Sequence, residues 1–133
     1  MTITAMFLYI FFLHFIGDYI LQPYKMSLEK AEKNTVLVKH VCIYSCVLFF
    51  GMAPFVGLKD SALFSVYNGC LHLLVDYLTS RIIQVNSSGL NLDPDASKPI
   101  HKRLQLWGPI TLLGFDQLLH QACLIYVFDL LFF

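Results

Sequence analysis

The run TITAMFLYIFFLHFIGDYIL, residues 2–21, is almost entirely apolar and decides the fold class. A transmembrane helix needs about 20 mostly apolar residues at about 1.5 Å per residue. Three further stretches meet this requirement, at about residues 36–57, 61–83 and 106–128. The sequence therefore predicts an all-α polytopic membrane protein. We expect a four-transmembrane-helix bundle that forms a single integral membrane domain over residues 1–133.

The composition supports a bilayer as the main partner. Hydrophobic residues make up 57% of the chain and charged residues 14%, against about 45–50% and about 25% in soluble domains. The nine basic and nine acidic residues cancel, so no overall field attracts nucleic acid and we expect no nucleic-acid partner. A homo-oligomer is compatible with the sequence.

The basic residues predict the orientation in the membrane. Predicted loops 22–35 and 84–105 and their flanks hold eight of the nine Lys and Arg residues, whereas Lys59 lies on the other side. By the positive-inside rule both loops are cytoplasmic and both termini are outside. The eight residues are Lys25, Lys30, Lys33, Lys39, Arg81, Lys98, Lys102 and Arg103.

Turn-forming residues set the expected boundaries of the spans. The stretch 51–60, with Pro54 and Gly57, is predicted to turn the chain, and Asn86-Ser-Ser-Gly is predicted to open a loop. The segment MSLEKAEKN, residues 26–34, is predicted to form a short interfacial helix with no chemistry of its own.

Ionisable residues inside the spans are the candidates for function. Each aspartate at a helix centre costs about 2.5–3.5 kcal/mol, so such residues are functional by default. Three aspartates lie there, and each has a histidine four residues away, on the same helix face. His40 adds a fourth histidine from the second span. At 1.5 Å per residue all seven lie between the midplane and the cytoplasmic face; the seven are His14, Asp18, His40, His72, Asp76, Asp116 and His120.

A short repeat links the first and third spans. His14-Phe-Ile-Gly-Asp-Tyr19 matches His72-Leu-Leu-Val-Asp-Tyr77 in the same chain direction. This repeat predicts two related hairpins around a pseudo-twofold axis along the membrane normal.

A divalent metal ion would make this polar set tolerable in hydrocarbon. The ion offsets carboxylate charge and takes up imidazole lone pairs. Mixed His and Asp ligation suits zinc, with manganese or iron as alternatives, and the seven predicted ligands allow one ion or two. Four polar neighbours are predicted to orient the ligands, namely Gln22, Asn68, Ser80 and Gln117.

Hydrolysis follows from a bound metal, because the ion activates water and a spare aspartate or histidine accepts its proton. The predicted catalytic residues are Asp18, Asp76 and Asp116. The expected substrate is a lipid or another membrane-embedded ester, phosphoester or amide. Lys98, Lys102 and Arg103, with His101 nearby, could bind an anionic headgroup at the inner surface, but the positive-inside rule is the favoured explanation of these cations. The alternatives are a proton or divalent-metal transporter or channel, a purely structural His/Asp network, and a non-catalytic phage membrane protein with a structural metal.

The ordered motifs resemble a known family over nearly the whole chain. They are His14-Phe-x-Gly-Asp18-x-x-Leu-Gln22, then Met26, Lys33 and His40, then Asn68-x-x-x-His72-x-x-x-Asp76 and Asp116-Gln117-x-x-His120. This pattern resembles the domain-of-unknown-function 3307 family of small bacterial and phage integral membrane proteins. The resemblance implies a bacterial inner-membrane location and a site at these residues, but no activity. A looser similarity links the His-x-x-x-Asp helices to membrane-bound metal-dependent hydrolases, by analogy only.

Overall fold

The computed structural model describes residues 2–91 and 109–133, and all regular structure within these ranges is helical. Helix α1 (Ile3–Phe15) continues into a π-helical turn (Ile16–Ile20). The short helix α2 (Tyr24–Glu29) leads to α3 (Asn34–Val56), α4 (Leu58–Asn91) and α5 (Pro109–Phe132). The prediction of an all-α fold is confirmed.

Three of the described helical segments are long and apolar enough to cross a membrane: Ile3–Ile20, Asn34–Val56 and Thr111–Phe132. Helix α4, which contains the fourth span predicted at residues 61–83, is not among these three. The reason is the inward face of α4, which carries a row of buried polar side chains that lowers the apolar content of the helix. These are Ser61, Ser65, Asn68, His72, Asp76, Thr79 and Ser80.

Two predicted boundaries also differ from the structure. Pro54 lies inside α3, which continues to Val56, and the chain reverses at Gly57 alone. Gly57 has φ 82° and ψ 167°, a conformation that is essentially restricted to glycine. Helix α4 runs to Asn91, through the Asn86–Gly89 stretch predicted to be a loop. The asparagine, serines and glycine of this stretch are weak helix formers, but they do not end the helix. A proline, which would block a helix, first occurs at Pro94.

Small residues let neighbouring helices approach closely. A Cβ atom added to Gly51 of α3 would lie 2.5 Å from Leu13 Cδ1 of α1. A Cβ atom added to Gly69 of α4 would lie 2.3 Å from Ser45 Oγ of α3. At both positions a side chain of the neighbouring helix fills the space that a larger residue would need. Small residues at helix contacts are typical of helix packing within membranes.

The interior of the bundle is divided into an apolar part and a polar part. The second half of α1, the start of α4 and the ends of α3 and α5 enclose an apolar core of Ile10, Leu13, Tyr44, Leu48, Met52, Phe64, Leu124, Val127 and Phe128. The buried histidines and aspartates lie on the side of this core next to α2, where Lys30, the residue that follows α2, contacts Asp76. The buried histidines and aspartates are therefore concentrated in one half of the bundle, whereas Ser61 and Ser65 of α4 lie beside the core residue Phe64.

Candidate metal centre

The His/Asp pairs predicted from the sequence are side by side in the structure. The shortest distances between a ring nitrogen and a carboxylate oxygen are 3.7 Å for His14–Asp18, 3.4 Å for His72–Asp76 and 3.6 Å for Asp116–His120. His40 meets them from α3, and all seven side chains are buried. Residues from α1 and its π-helical turn, α3, α4 and α5 thus converge at one level.

Asp18 lies in the π-helical turn, which the sequence analysis did not foresee. The Leu21 amide donates to the Ile16 carbonyl at 2.9 Å, five residues back, so the helix is locally wider than an α-helix. Gly17 permits this turn to pack on α3, since an added Cβ would lie 3.0 Å from Tyr44 Cδ2 and 3.3 Å from Tyr44 Cα. Single π-helical turns of this kind occur frequently at functional sites.

Four ligand atoms converge in the first ligand group, which comprises Asp18, His40, His72 and Asp76. His40 Nε2 lies 3.0 Å from His72 Nε2, 3.1 Å from Asp18 Oδ1 and 3.4 Å from Asp76 Oδ2. His72 Nε2 lies 3.6 Å from Asp18 Oδ1 and 3.4 Å from Asp76 Oδ2. Ligands about 2.0–2.1 Å from zinc in a regular tetrahedron lie about 3.3–3.4 Å apart. The atoms of the first ligand group therefore have nearly the spacing of a tetrahedral site.

Asp76, Asp116 and His120 form a second ligand group. His120 Nδ1 donates to the Asp116 main-chain carbonyl at 2.9 Å, which leaves a lone pair on Nε2. That nitrogen is buried without a hydrogen-bond partner, 3.8 Å from Asp76 Oδ1. Because Asp76 belongs to both ligand groups, its two oxygens face two neighbouring positions, as in a carboxylate that bridges two ions.

His14 belongs to neither ligand group, although the sequence hypothesis counted it among the ligands. The Tyr44 hydroxyl donates to His14 Nδ1 at 3.3 Å, and His14 Nε2 donates to Gln117 Oε1 at 3.0 Å. Gln117 Nε2 in turn donates to Asp18 Oδ2 at 3.0 Å and to Asp116 Oδ2 at 3.1 Å. His14 therefore holds Gln117, which connects a carboxylate of each ligand group.

The other predicted orienting residues have different partners. Asn68 Nδ2 donates to the Phe64 carbonyl at 2.9 Å, and Asn68 Oδ1 is buried without a partner. Ser80 Oγ donates to the main-chain carbonyl of Asp76 at 2.5 Å. Thr79, which the sequence analysis did not single out, donates from its hydroxyl to Asp116 Oδ1. Its position one residue before Ser80 on α4 is the signal in the sequence that could have indicated Thr79.

Lys30 corrects the prediction that segment 26–34 has no chemistry of its own. Its Nζ donates to Asp76 Oδ2 at 2.7 Å and to Gln22 Oε1 at 3.1 Å, and the residue is only 9% exposed. The spacing of the lysines in the sequence does not distinguish Lys30 from Lys25 and Lys33. The side chains of Lys25 and Lys33 pair with Glu29 nearer the surface.

A cavity of about 220 Å³ lies beside the two ligand groups. Asp18, Asp76 and Asp116 line it, whereas the histidines lie behind them. The remaining lining residues are Tyr19, Gln22, Ser27, Leu28, Lys30, Thr79, Ser80, Ile83, Leu113 and Gln117. Lys98, His101, Lys102 and Arg103, proposed from the sequence to bind headgroups, lie outside the described residues.

The charges in this cluster do not balance by themselves. Three buried carboxylates face one buried ammonium, so with neutral imidazoles the described site carries two uncompensated negative charges. Burial of unpaired charge is costly. One divalent cation offsets this charge, and the buried His/Asp groups have the donor atoms to hold it.

Comparison with known proteins places the chain in a family without assigning it an activity. No curated protein and no solved structure matches it. The family described as "protein of unknown function (DUF3307)" matches residues 6–133, which include every residue of both ligand groups. The chain therefore belongs to the DUF3307 family.

Proposed function

We propose that this chain is an integral membrane protein with a carboxylate-bridged two-metal site, and that it hydrolyses a lipid or another membrane-embedded ester or phosphoester. The observation that carries the proposal is the asymmetry of the two ligand groups around Asp76. The first offers four residues, as in closed structural zinc sites, and the second offers three beside a cavity. Catalytic zinc sites have three protein ligands and an open position.

Zinc fits the mixed imidazole and carboxylate donors, and manganese and iron are the alternatives. Asp76 would be the ligand that the two ions share, because its Oδ2 faces the first ligand group and its Oδ1 faces His120.

The residues around the cavity would divide the reaction between them. A bound divalent ion supplies Lewis acidity that acidifies water and polarises the scissile bond. Asp18 would accept the proton, because it lines the cavity and its Oδ2 is held by Gln117. The water oxygen bonds to the acyl carbon or phosphorus, the ester bond to the leaving oxygen breaks, and the proton passes from Asp18 to that oxygen.

We further propose that α4 crosses the membrane with the three more apolar helices, with its polar row turned inward. The half of the bundle next to α2 would face the cytoplasm of a bacterial inner membrane, because Lys25, Lys33 and Arg81 lie there, whereas Lys59 lies at the opposite end of α4. In a variant without native cysteines, a single cysteine at position 25 should then be labelled only from inside, and one at position 59 only from outside. The reverse pattern would refute this orientation.

A transporter is less well supported, because the apolar core closes the half of the bundle away from the polar residues. Metal analysis of detergent-purified protein should find about two equivalents of one transition metal, and proteoliposomes should release product from an ester or phosphoester lipid. Metal or proton flux without turnover of the lipid would show that the protein is a transporter and not a hydrolase. Bound metal with neither turnover nor flux would make the metal structural, and protein without stoichiometric metal would refute the site.

A further inference from the structure

We propose that Lys30 binds an anionic oxygen of the substrate, so that the substrate is a phosphoester rather than a neutral ester. This inference rests on the proposed two-metal site. It assigns the substrate class from a residue that neither ligand group contains.

Lys30 is placed for this role by α2. The short helix brings the ammonium group to the wall of the cavity, where it is nearly buried. Among the described residues that line the cavity, Lys30 is the single basic one. Lys25, within α2, has a side chain that is 85% exposed and pairs with Glu29.

The ammonium group has a donor to spare. A lysine ammonium carries three N–H donors, and two of them are used by Asp76 Oδ2 and Gln22 Oε1. A metal ion at Asp76 Oδ2 would neutralise the negative charge of that carboxylate in place of Lys30. Because Lys30 lines the cavity, an anionic oxygen bound there would be the natural acceptor for its third N–H.

The charge balance ties the substrate class to the number of ions. The three carboxylates and Lys30 together carry a net charge of two negative charges. One divalent ion makes the site neutral, and two divalent ions give it two positive charges. A site with that excess favours an anion, since a neutral ester would leave the excess buried. The cavity of about 220 Å³ also has room for a phosphate group with water, given about 30 Å³ per water molecule.

The test measures binding of inorganic phosphate to protein loaded with cobalt(II), whose visible absorption reports on ligands at the metal. Phosphate should shift the spectrum of the wild type and of the control Lys25→Met. Lys30→Met should bind phosphate about 10- to 100-fold more weakly, as expected for a lost charged hydrogen bond, with the same cobalt content. Lys30→Gln, which keeps a donor toward Asp76, should show the same loss if Lys30→Met fails to fold, and Lys30→Arg should retain binding.

Two lipid probes distinguish the source of the phosphate. Phosphatidate in mixed micelles should compete with inorganic phosphate, and diacylglycerol should not. Tighter binding of phosphatidate than of phosphate assigns the site to a lipid phosphate, whereas equal binding assigns it to a free phosphate group. Phosphate affinity that is unchanged in Lys30→Met, or equally reduced in Lys25→Met, overturns the role of Lys30 while leaving the metal site intact. Protein that binds no cobalt at all refutes the proposed function itself.

Discussion

Replacement of His72 by alanine should weaken metal binding far more than replacement of His14. The two histidines are both buried, at 1% and 2% exposure, and each has an aspartate four residues further on. Their nitrogens differ, however. His72 Nε2 faces three other ligand atoms of the first ligand group, whereas both nitrogens of His14 are used by Tyr44 and Gln117.

The expected size follows from the number of ligands. A structural four-ligand zinc site contributes about 10–16 kcal/mol, so one ligand accounts for about 2.5–4 kcal/mol, or a rise of about 100- to 1000-fold in Kd. His14 acts through Gln117 rather than on the metal, so His14→Ala should raise Kd by about 10-fold or less, at or below the low end for residues that only orient ligands.

Metal titration followed by thermal unfolding in detergent measures this difference. At a free metal concentration of about 100 times the wild-type Kd, binding stabilises the wild type by about 2.7 kcal/mol. In His72→Ala this stabilisation should fall below about 0.5 kcal/mol, whereas His14→Ala should keep most of it. Equal losses in the two variants, or no loss in His72→Ala, would refute the assignment of the first ligand group.

Three further outcomes follow from the structure. Asp116→Asn should reduce the metal content from about two equivalents to one, because it removes a carboxylate from the second ligand group only; elemental analysis that still finds two would contradict that group. Asn68→Leu should lower metal affinity by about 10- to 100-fold, as measured by metal titration, if the unpartnered Asn68 Oδ1 accepts from His72 Nδ1 on metal binding; unchanged affinity would leave Asn68 with a packing role. Gly57→Ala should destabilise the protein by about 1–3 kcal/mol in unfolding experiments without changing metal affinity, because of its φ of 82°; an unchanged stability would argue against that turn.

The helical periodicity of the sequence was sufficient to find the candidate site. His72 and Asp76 are four residues apart, and a spacing of four places two side chains on one helix face whatever else the helix contacts. The helical class was also predictable from a local property, the length of the apolar runs. The length and the few charges of residues 61–83 suggested a helix more apolar than α4 is. Asn68 and the serines of the polar row lower the apolar content of α4 without adding charge.

Roles within the site were less predictable, because they depend on contacts between residues far apart in the chain. Lys30 and Asp76 are separated by 46 residues, and His14 and Gln117 by 103. No local spacing distinguishes Lys30 from its neighbouring lysines, or shows that both nitrogens of His14 are already engaged. The π-helical turn at Asp18 depends in the same way on the packing of Gly17 against α3.

The helical class, the apolar character of most helices and the four-residue spacing of histidines and aspartates can all be read from the sequence. These properties depend on composition and on the helical repeat, which are local. The convergence of the ligand atoms, the sharing of Asp76 by two ligand groups and the contact of Lys30 with Asp76 are visible only in the folded structure. These properties depend on how the helices pack, and close packing at residues such as Gly51 and Gly69 sets the distances between side chains on different helices.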